Sequence, residues 1–133
     1  MKLRIKGNSI RLRLGQSEVR QLAANGSIEE SSVFGPSAEQ CFIYAVCVAP
    51  AQQDVSASFS GRRLVVSVPS GEIRQWATTD QVGISAVQQI GDNQLRILIE
   101  KDFECVDAAP EESQEDAFPH PQFDAACTAG KRD

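Results

Sequence analysis

The chain has 133 residues, of which 41% are apolar, 23% charged and 6% aromatic. This length fits one domain with a modest core, and no run of about 18 apolar residues could form a transmembrane helix. The first six residues alternate cationic and apolar side chains and lack the apolar run of a signal peptide, so we expect a cytoplasmic protein with no membrane partner.

The charge is unevenly distributed along the chain. Residues 1–104 contain 11 basic and 11 acidic side chains, whereas residues 105–133 contain 2 basic and 7 acidic ones and carry the whole net charge of −5. The second segment is rich in Ala, Pro, Glu, Asp and Gln and has no hydrophobic periodicity. The sequence therefore predicts a domain over residues 1–104 and a disordered or loosely packed acidic tail over residues 105–133.

Residues 1–50 predict two β-hairpins joined by a short helix, because period-two apolar alternation flanks one stretch with apolar residues at helical spacing. The predicted elements, in chain order, are strands at 2–6 and 10–14, a helix capped by Ser17 and closed by Asn25-Gly26, and strands at 27–34 and 40–48.

Residues 55–104 predict the same order of elements. The predicted elements are strands at 55–60 and 64–68, a helix opened by Pro69-Ser70 that carries Ile73 and Trp76, and strands at 81–88 and 95–99. Trp76 is expected in the core, because it aligns with Leu22 in the first half.

A gap-free offset of 54 residues aligns the two halves. Glu18 falls on Glu72 and Arg20 on Arg74, and the apolar positions of the two segments stay in phase. The sequence therefore predicts a mainly β protein with two short helices, built from duplicated β-β-α-β-β units at 1–50 and 55–104. Since neither unit can bury its apolar face alone, we expect the two to close into one pseudo-twofold barrel.

This order of elements resembles a duplicated cradle-loop barrel. The segment at 66–74 looks like the strand-proline-helix segment of AbrB-like swapped-hairpin regulators, with one extra residue between Pro69 and Glu72, and the double-psi barrel is a near relative. The resemblance implies a swapped-hairpin or double-psi fold for residues 1–104. Separately, residues 1–14 and 100–105 resemble a small bacterial family of unknown function, which implies no activity.

Basic side chains are concentrated on the first hairpin, where they could bind nucleic-acid phosphates as the β-ribbon readers of DNA do. The candidate residues are Lys2, Arg4, Lys6, Arg11 and Arg13, with Arg62 and Arg63 at the equivalent turn of the second half. The alternative is that long basic side chains protect an exposed sheet. Serines replace the charges on the second hairpin, and residues 1–104 have no net charge, which weakens the nucleic-acid interpretation.

Cysteine, histidine and carboxylate residues of the tail form a candidate metal site of mixed ligands, namely Cys105, Asp116, His120 and Cys127. The alternative is a lone exposed histidine in a proline-rich loop. Cys41 and Cys47 lie six residues apart on one strand, too far to bridge, so we expect reduced thiols that act as small core hydrophobes.

Two aromatic residues of the tail, Phe118 and Phe123, resemble a short docking motif for a partner or for the domain itself. Residues 1–104 contain no histidine and the chain has no phosphate-binding glycine motif, so no enzyme is predicted. We expect a non-catalytic binding or regulatory module with an unknown protein partner and no cofactor. The alternatives are nucleic-acid binding and metal binding, and the oligomeric state stays open.

Overall fold

A computed structural model of the chain describes residues 1–103, and Met1–Asp102 form one compact unit. The tail predicted over 105–133 lies outside the described residues. The elements, in chain order, are β1 (Lys2–Lys6), β2 (Ser9–Leu14), α1 (Gln16–Asn25), β3 (Ser27–Val33), a 3-10 turn (Ala38–Gln40), β4 (Cys41–Ala49), β5 (Ser56–Ser60), β6 (Arg63–Pro69), α2 (Ser70–Thr78), β7 (Gly83–Ile90) and β8 (Asn93–Lys101).

The order β-β-α-β-β thus occurs twice, as the sequence predicts. The 54-residue offset carries β1 onto β5 residue for residue, and α1 begins 54 residues before α2. Two strands of the second half differ most from their predicted bounds, and β8 spans Asn93–Lys101 where the sequence predicts 95–99. β7 spans Gly83–Ile90 and not 81–88, because the tight turn that follows it is centred on Gly91-Asp92.

The strands form two four-stranded sheets. Sheet A has the order β1-β2-β8-β7 and sheet B the order β3-β4-β6-β5. In each sheet the two central strands are parallel and both outer pairs are antiparallel. The central pairs join the halves of the chain, since β2 pairs with β8 and β4 pairs with β6. Each sheet therefore contains one hairpin from each half.

The single closed barrel expected from the sequence is not formed by the described strands, because β1, β7, β3 and β5 remain sheet edges. Side chains bridge the two sheets where a barrel would have a backbone ladder. The Gln88 amide bonds the backbone of Ala57 on β5, and the Met1 amine binds Glu30 on β3. These bridges satisfy edge groups locally and leave two separate sheets.

The core fills the space between the sheets and is closed by the two helices. Its fully buried members include Leu12, Val46, Val66, Ile97 and Trp76. The predicted core position of Trp76 is confirmed, and its indole Nε1 donates to the carbonyl of Val82 at 3.0 Å.

The thiols of Cys41 and Cys47 do not lie in this core, contrary to expectation. Both are free and half-buried, because strand alternation directs Tyr44 and Val46 inward and places the cysteines on the opposite face of β4.

The start of α1 also differs from prediction. The N-cap residue is Gly15 and not Ser17. The Glu18 carboxylate accepts a hydrogen bond from the Gly15 backbone N–H at 2.8 Å. Helix α1 ends as predicted, since Gly26 adopts the left-handed conformation at φ 89° that a glycine tolerates best.

Candidate anion-binding face

The outer face of sheet A carries the basic side chains of the first hairpin. Leu12 and Leu14 are buried, so the alternating residues Arg11 and Arg13 project from the other side of β2. The antiparallel register sets Lys2 opposite Arg13 and Arg4 opposite Arg11. Five of the seven basic residues singled out in the sequence, Lys2, Arg4, Lys6, Arg11 and Arg13, therefore share one face.

A sixth cation on this face, Arg96, was missed by sequence reasoning. It lies on β8, which is parallel to β2, and it pairs with Ser9. The two strands are far apart in the chain and become neighbours only through a parallel pairing between halves, which no local pattern indicates. We call Lys2, Arg4, Lys6, Arg11, Arg13 and Arg96 the cationic face.

In the described part of the chain, two carboxylates form ion pairs with members of this face. Glu100 on β8 lies beneath the arginines of β2, with Arg11 Nε at 3.2 Å and Arg13 Nε at 3.9 Å from its Oε2. That oxygen is buried and accepts no well-aligned hydrogen bond from residues 1–103, so its attraction to the arginines is mainly Coulombic. Asp102 Oδ2 lies 3.2 Å from Lys2 Nζ. Counted over residues 1–103, the face has a formal charge of about +4, since six cations exceed two carboxylates by that number.

The remaining two basic residues of the sequence prediction lie on sheet B. Arg62 donates to the backbone carbonyl of Ala38, and Arg63 Nη2 lies 2.8 Å from Glu29 Oε1. The structure thus separates Arg62 and Arg63 from the cationic face, because β6 pairs with β4 and not with the first hairpin.

A shallow groove of about 420 Å³ adjoins the cationic face on the side of β7 and β8. The side chains of Ser85, Val87, Leu98 and Arg96 line it. Val87 is 58% exposed, so one edge of the groove is apolar while Arg96 supplies charge to the other. The outer face of sheet A therefore changes from strongly basic to weakly apolar across its width.

The first residue of the chain joins β1 to the helix and to sheet B. The Met1 amine donates to the carboxylates of Glu18 and Glu30. Burial raises the pKa of Glu18, but the hydrogen bonds from the amine and from the Gly15 N–H outweigh it and hold that pKa below its usual value. Burial lowers the pKa of the amine, and the two carboxylates reverse this and raise it above its usual value. Burial beside Glu30 raises the pKa of Tyr44.

The other predicted sites fall beyond the described residues. The candidate metal ligands Cys105, Asp116, His120 and Cys127 and the candidate docking residues Phe118 and Phe123 all belong to the segment after residue 103. Within residues 1–103, no three His, Cys, Asp or Glu side chains are grouped to hold a metal ion. In the same part of the chain, neither helix has the length and apolar character needed to cross a bilayer.

A family model of unknown function, DUF7009, matches residues 1–122. The chain belongs to the DUF7009 family. The match covers the whole domain with its cationic face and continues to residue 122, so the family is defined by more than the two sheets. No curated protein and no solved structure matches the DUF7009 chain.

Proposed function

We propose that this DUF7009 protein is a non-catalytic binding module whose cationic face binds carboxylate groups of a protein partner. The observation that carries the proposal is the cationic face itself, in which six basic side chains lie on three neighbouring strands and two carboxylates of residues 1–103 pair with them. Like charges at this spacing repel one another, and an anionic partner relieves that repulsion.

Two features favour a protein partner over a nucleic acid. The guanidinium groups of Arg11 and Arg13 already flank the carboxylate of Glu100, so their placement suits carboxylate oxygens. The hairpin β1–β2 is also not a free two-stranded ribbon, because β8 is paired along β2. A four-stranded sheet spans about 14 Å between its outer strands, which is wider than the major groove that a β-ribbon enters.

Binding of labelled probes to the full chain tests this proposal. The probes are a fluorescent poly-glutamate peptide and a 20-base-pair DNA duplex, compared by anisotropy at low and at physiological salt. We expect the peptide to bind, and the double charge reversal Arg4→Glu with Lys6→Glu to weaken its binding by about tenfold or more, since each lost charged contact is worth about 1 kcal/mol.

The matched control reverses two exposed helix arginines, Arg20→Glu and Arg74→Glu, which changes the net charge by the same amount away from the cationic face. If both double variants lose affinity equally, the effect is one of net charge and the assignment to this face is wrong. Tight binding of the duplex with no binding of the peptide would overturn the proposed protein partner and favour nucleic-acid binding.

We also propose that the fold derives from the swapped-hairpin arrangement of AbrB-like proteins. What supports this is the exchange of hairpins between halves, in which β2 lies beside β8 and β4 beside β6. In such an arrangement the outer face of each sheet points away from the core, which agrees with a binding module.

A further inference from the structure

The two strands that begin the halves of the chain, β1 and β5, are both edge strands. Each of the two hairpins has a two-residue turn, and the two residues that flank such a turn form a hydrogen-bonded pair. These pairs are Lys6 with Ser9 in the first hairpin and Ser60 with Arg63 in the second. Alternation from those pairs directs the backbone groups of Leu3 and Ile5 away from β2, and those of Ala57 and Phe59 away from β6. The hydrogen bonds of Ala57 agree with this assignment, since both go to β7.

At Ala57, the edge of β5 is covered by the side chain of Gln88 on β7. Gln88 Oε1 accepts from the N–H of Ala57 at 2.7 Å, and Gln88 Nε2 donates to its carbonyl at 3.2 Å. The side-chain amide therefore occupies both backbone groups, as a neighbouring peptide unit would, and this blocks further pairing at that position.

The edge of β1 has no such cover within residues 1–103. When the two sheets are compared by their strand pairing, Ser27 at the start of β3 corresponds to Gly83 at the start of β7. Counting along both strands from there, Ser32 on β3 occupies the position of Gln88 on β7. A serine hydroxyl is too short to bond both an N–H and a carbonyl of the facing strand. In the described residues no turn or side-chain hydrogen bond reaches the backbone of Leu3 or Ile5.

The side chains of β1 select what can pair there. Lys2, Arg4 and Lys6 are exposed on the outer face, while Ile5 on the inner face is 57% exposed. A basic strand, including a second copy of β1, is repelled from this edge. A strand that alternates acidic and apolar residues would place its carboxylates beside the three cations and an apolar side chain beside Ile5.

We propose that the β1 edge is a strand-addition site for an extended acidic segment of the partner protein. This rests on the proposed function and specifies how the partner binds. The added strand hydrogen-bonds to the outward N–H and carbonyl groups of Leu3 and Ile5, and its acidic residues face Lys2, Arg4 and Lys6. The edge is short, so we expect weak, reversible binding in which charge supplies specificity and backbone pairing fixes the orientation.

Nuclear magnetic resonance titration of the full, ¹⁵N-labelled chain tests this mode of binding. The probe is a seven-residue peptide that alternates glutamate and valine. The control is the same peptide with alternate backbone nitrogens methylated, which keeps every charge and removes the donors on one edge. We expect the amides of Leu3 and Ile5 to become protected from solvent exchange on binding, and the methylated peptide to bind about tenfold more weakly.

A substitution in the protein gives an independent check. Ile5→Pro removes one outward donor without removing a bond of the β1–β2 ladder, because proline is tolerated at an edge position whose N–H faces solvent. Ile5→Ala is the matched control that keeps the N–H. We expect the proline variant to lose about tenfold in affinity relative to the alanine variant, with the β2 amides unchanged in the spectrum of the free protein.

The outcomes separate the two proposals. Equal binding of the plain and methylated peptides, sensitive to Arg4→Glu with Lys6→Glu, overturns strand addition and leaves carboxylate binding by the cationic face intact. Failure of both peptides and of poly-glutamate to bind overturns both proposals. Protection of amides in β5 or β7 in place of β1 would also sink the assignment to this edge.

Discussion

Two glutamates that align in the repeat differ in the contacts that they make. Glu18 in α1 accepts hydrogen bonds from the Met1 amine and from the N–H of its N-cap glycine. The N-cap residue of α2 is Pro69, which has no N–H to donate to Glu72. The Glu72 side chain lines an open cavity. The glutamate at this helix position is therefore held by hydrogen bonds in the first half and is exposed in the second half.

We predict that Glu18→Gln lowers the free energy of unfolding by about 1 to 2 kcal/mol, because it removes a charged acceptor of two donors. Glu72→Gln is the matched control and should change it by less than about 0.5 kcal/mol. Chemical denaturation of both variants measures the difference. Equal effects at the two positions would show that the hydrogen bonds from the Met1 amine and the Gly15 N–H add no stability through the Glu18 charge.

The pH dependence of that difference follows from the directions of the two shifts. The pKa of Glu18 is lowered from 4.5, so its contribution is complete above that value and is lost as the pH falls below it. The pKa of the Met1 amine is raised from 8.0, so its contribution is complete below that value and is lost as the pH rises beyond it. The gap between wild type and Glu18→Gln should be widest between these limits and narrow on both sides.

At the scale of elements, the sheet edges show how two sheets coexist without closing. Gln88 reaches across from β7 and satisfies the outward backbone groups of Ala57 on β5. Because the Gln88 side chain is partly buried, water cannot fully replace its hydrogen bonds to Ala57 when the side chain is removed. This one amide connects sheet A to sheet B and also protects an edge strand.

We predict that Gln88→Ala lowers the free energy of unfolding by about 1 to 2 kcal/mol and speeds amide exchange at Ala57. Gln89→Ala is the matched control, because that side chain is exposed on the opposite face and bonds only near its own turn. Its effect should stay within about 0.5 kcal/mol. Hydrogen exchange read by residue, together with denaturant unfolding, measures both. Unchanged exchange at Ala57 in Gln88→Ala would contradict the edge-capping role.

The sequence predicts the local elements well and their partners poorly. Alternation and turn residues suffice for strands such as Lys2–Lys6, and the pattern around Trp76 suffices for the second helix with its buried indole. The α1 cap was misassigned to Ser17 because a glutamate side chain reaching back to Gly15 competes with hydroxyl capping. Arg96 was missed because parallel pairing between distant strands leaves no trace in local periodicity.

At the scale of the whole molecule, the halves are interlocked through their central strands. β2 of the first half pairs with β8 of the second, and β4 of the first pairs with β6 of the second. The connection between halves, at 50–54, contains exposed residues such as Gln53 and Asp54. The two halves are therefore held together by these backbone ladders and not by the covalent connection at 50–54.

We predict that a protease site inserted between Gln53 and Asp54 can be cut without releasing either half. The nicked protein should keep the mass of the uncut chain in native mass spectrometry and should separate into fragments only in denaturant, because both sheets join the halves by full ladders of backbone hydrogen bonds. An identical insertion left uncut is the control. Separation of the fragments under native conditions would contradict the exchanged pairing.

The two parallel pairings have very different sequence separations, and this sets an order of assembly. Ile43 on β4 pairs with Arg63, only 20 residues further on, whereas Ser9 on β2 pairs with Arg96, 87 residues further on. Closing the shorter loop costs less chain entropy, so sheet B can assemble while the end of the domain is still being synthesised. The basic first hairpin must wait for β8, and its arginines therefore stay without Glu100 until almost the whole domain has left the ribosome.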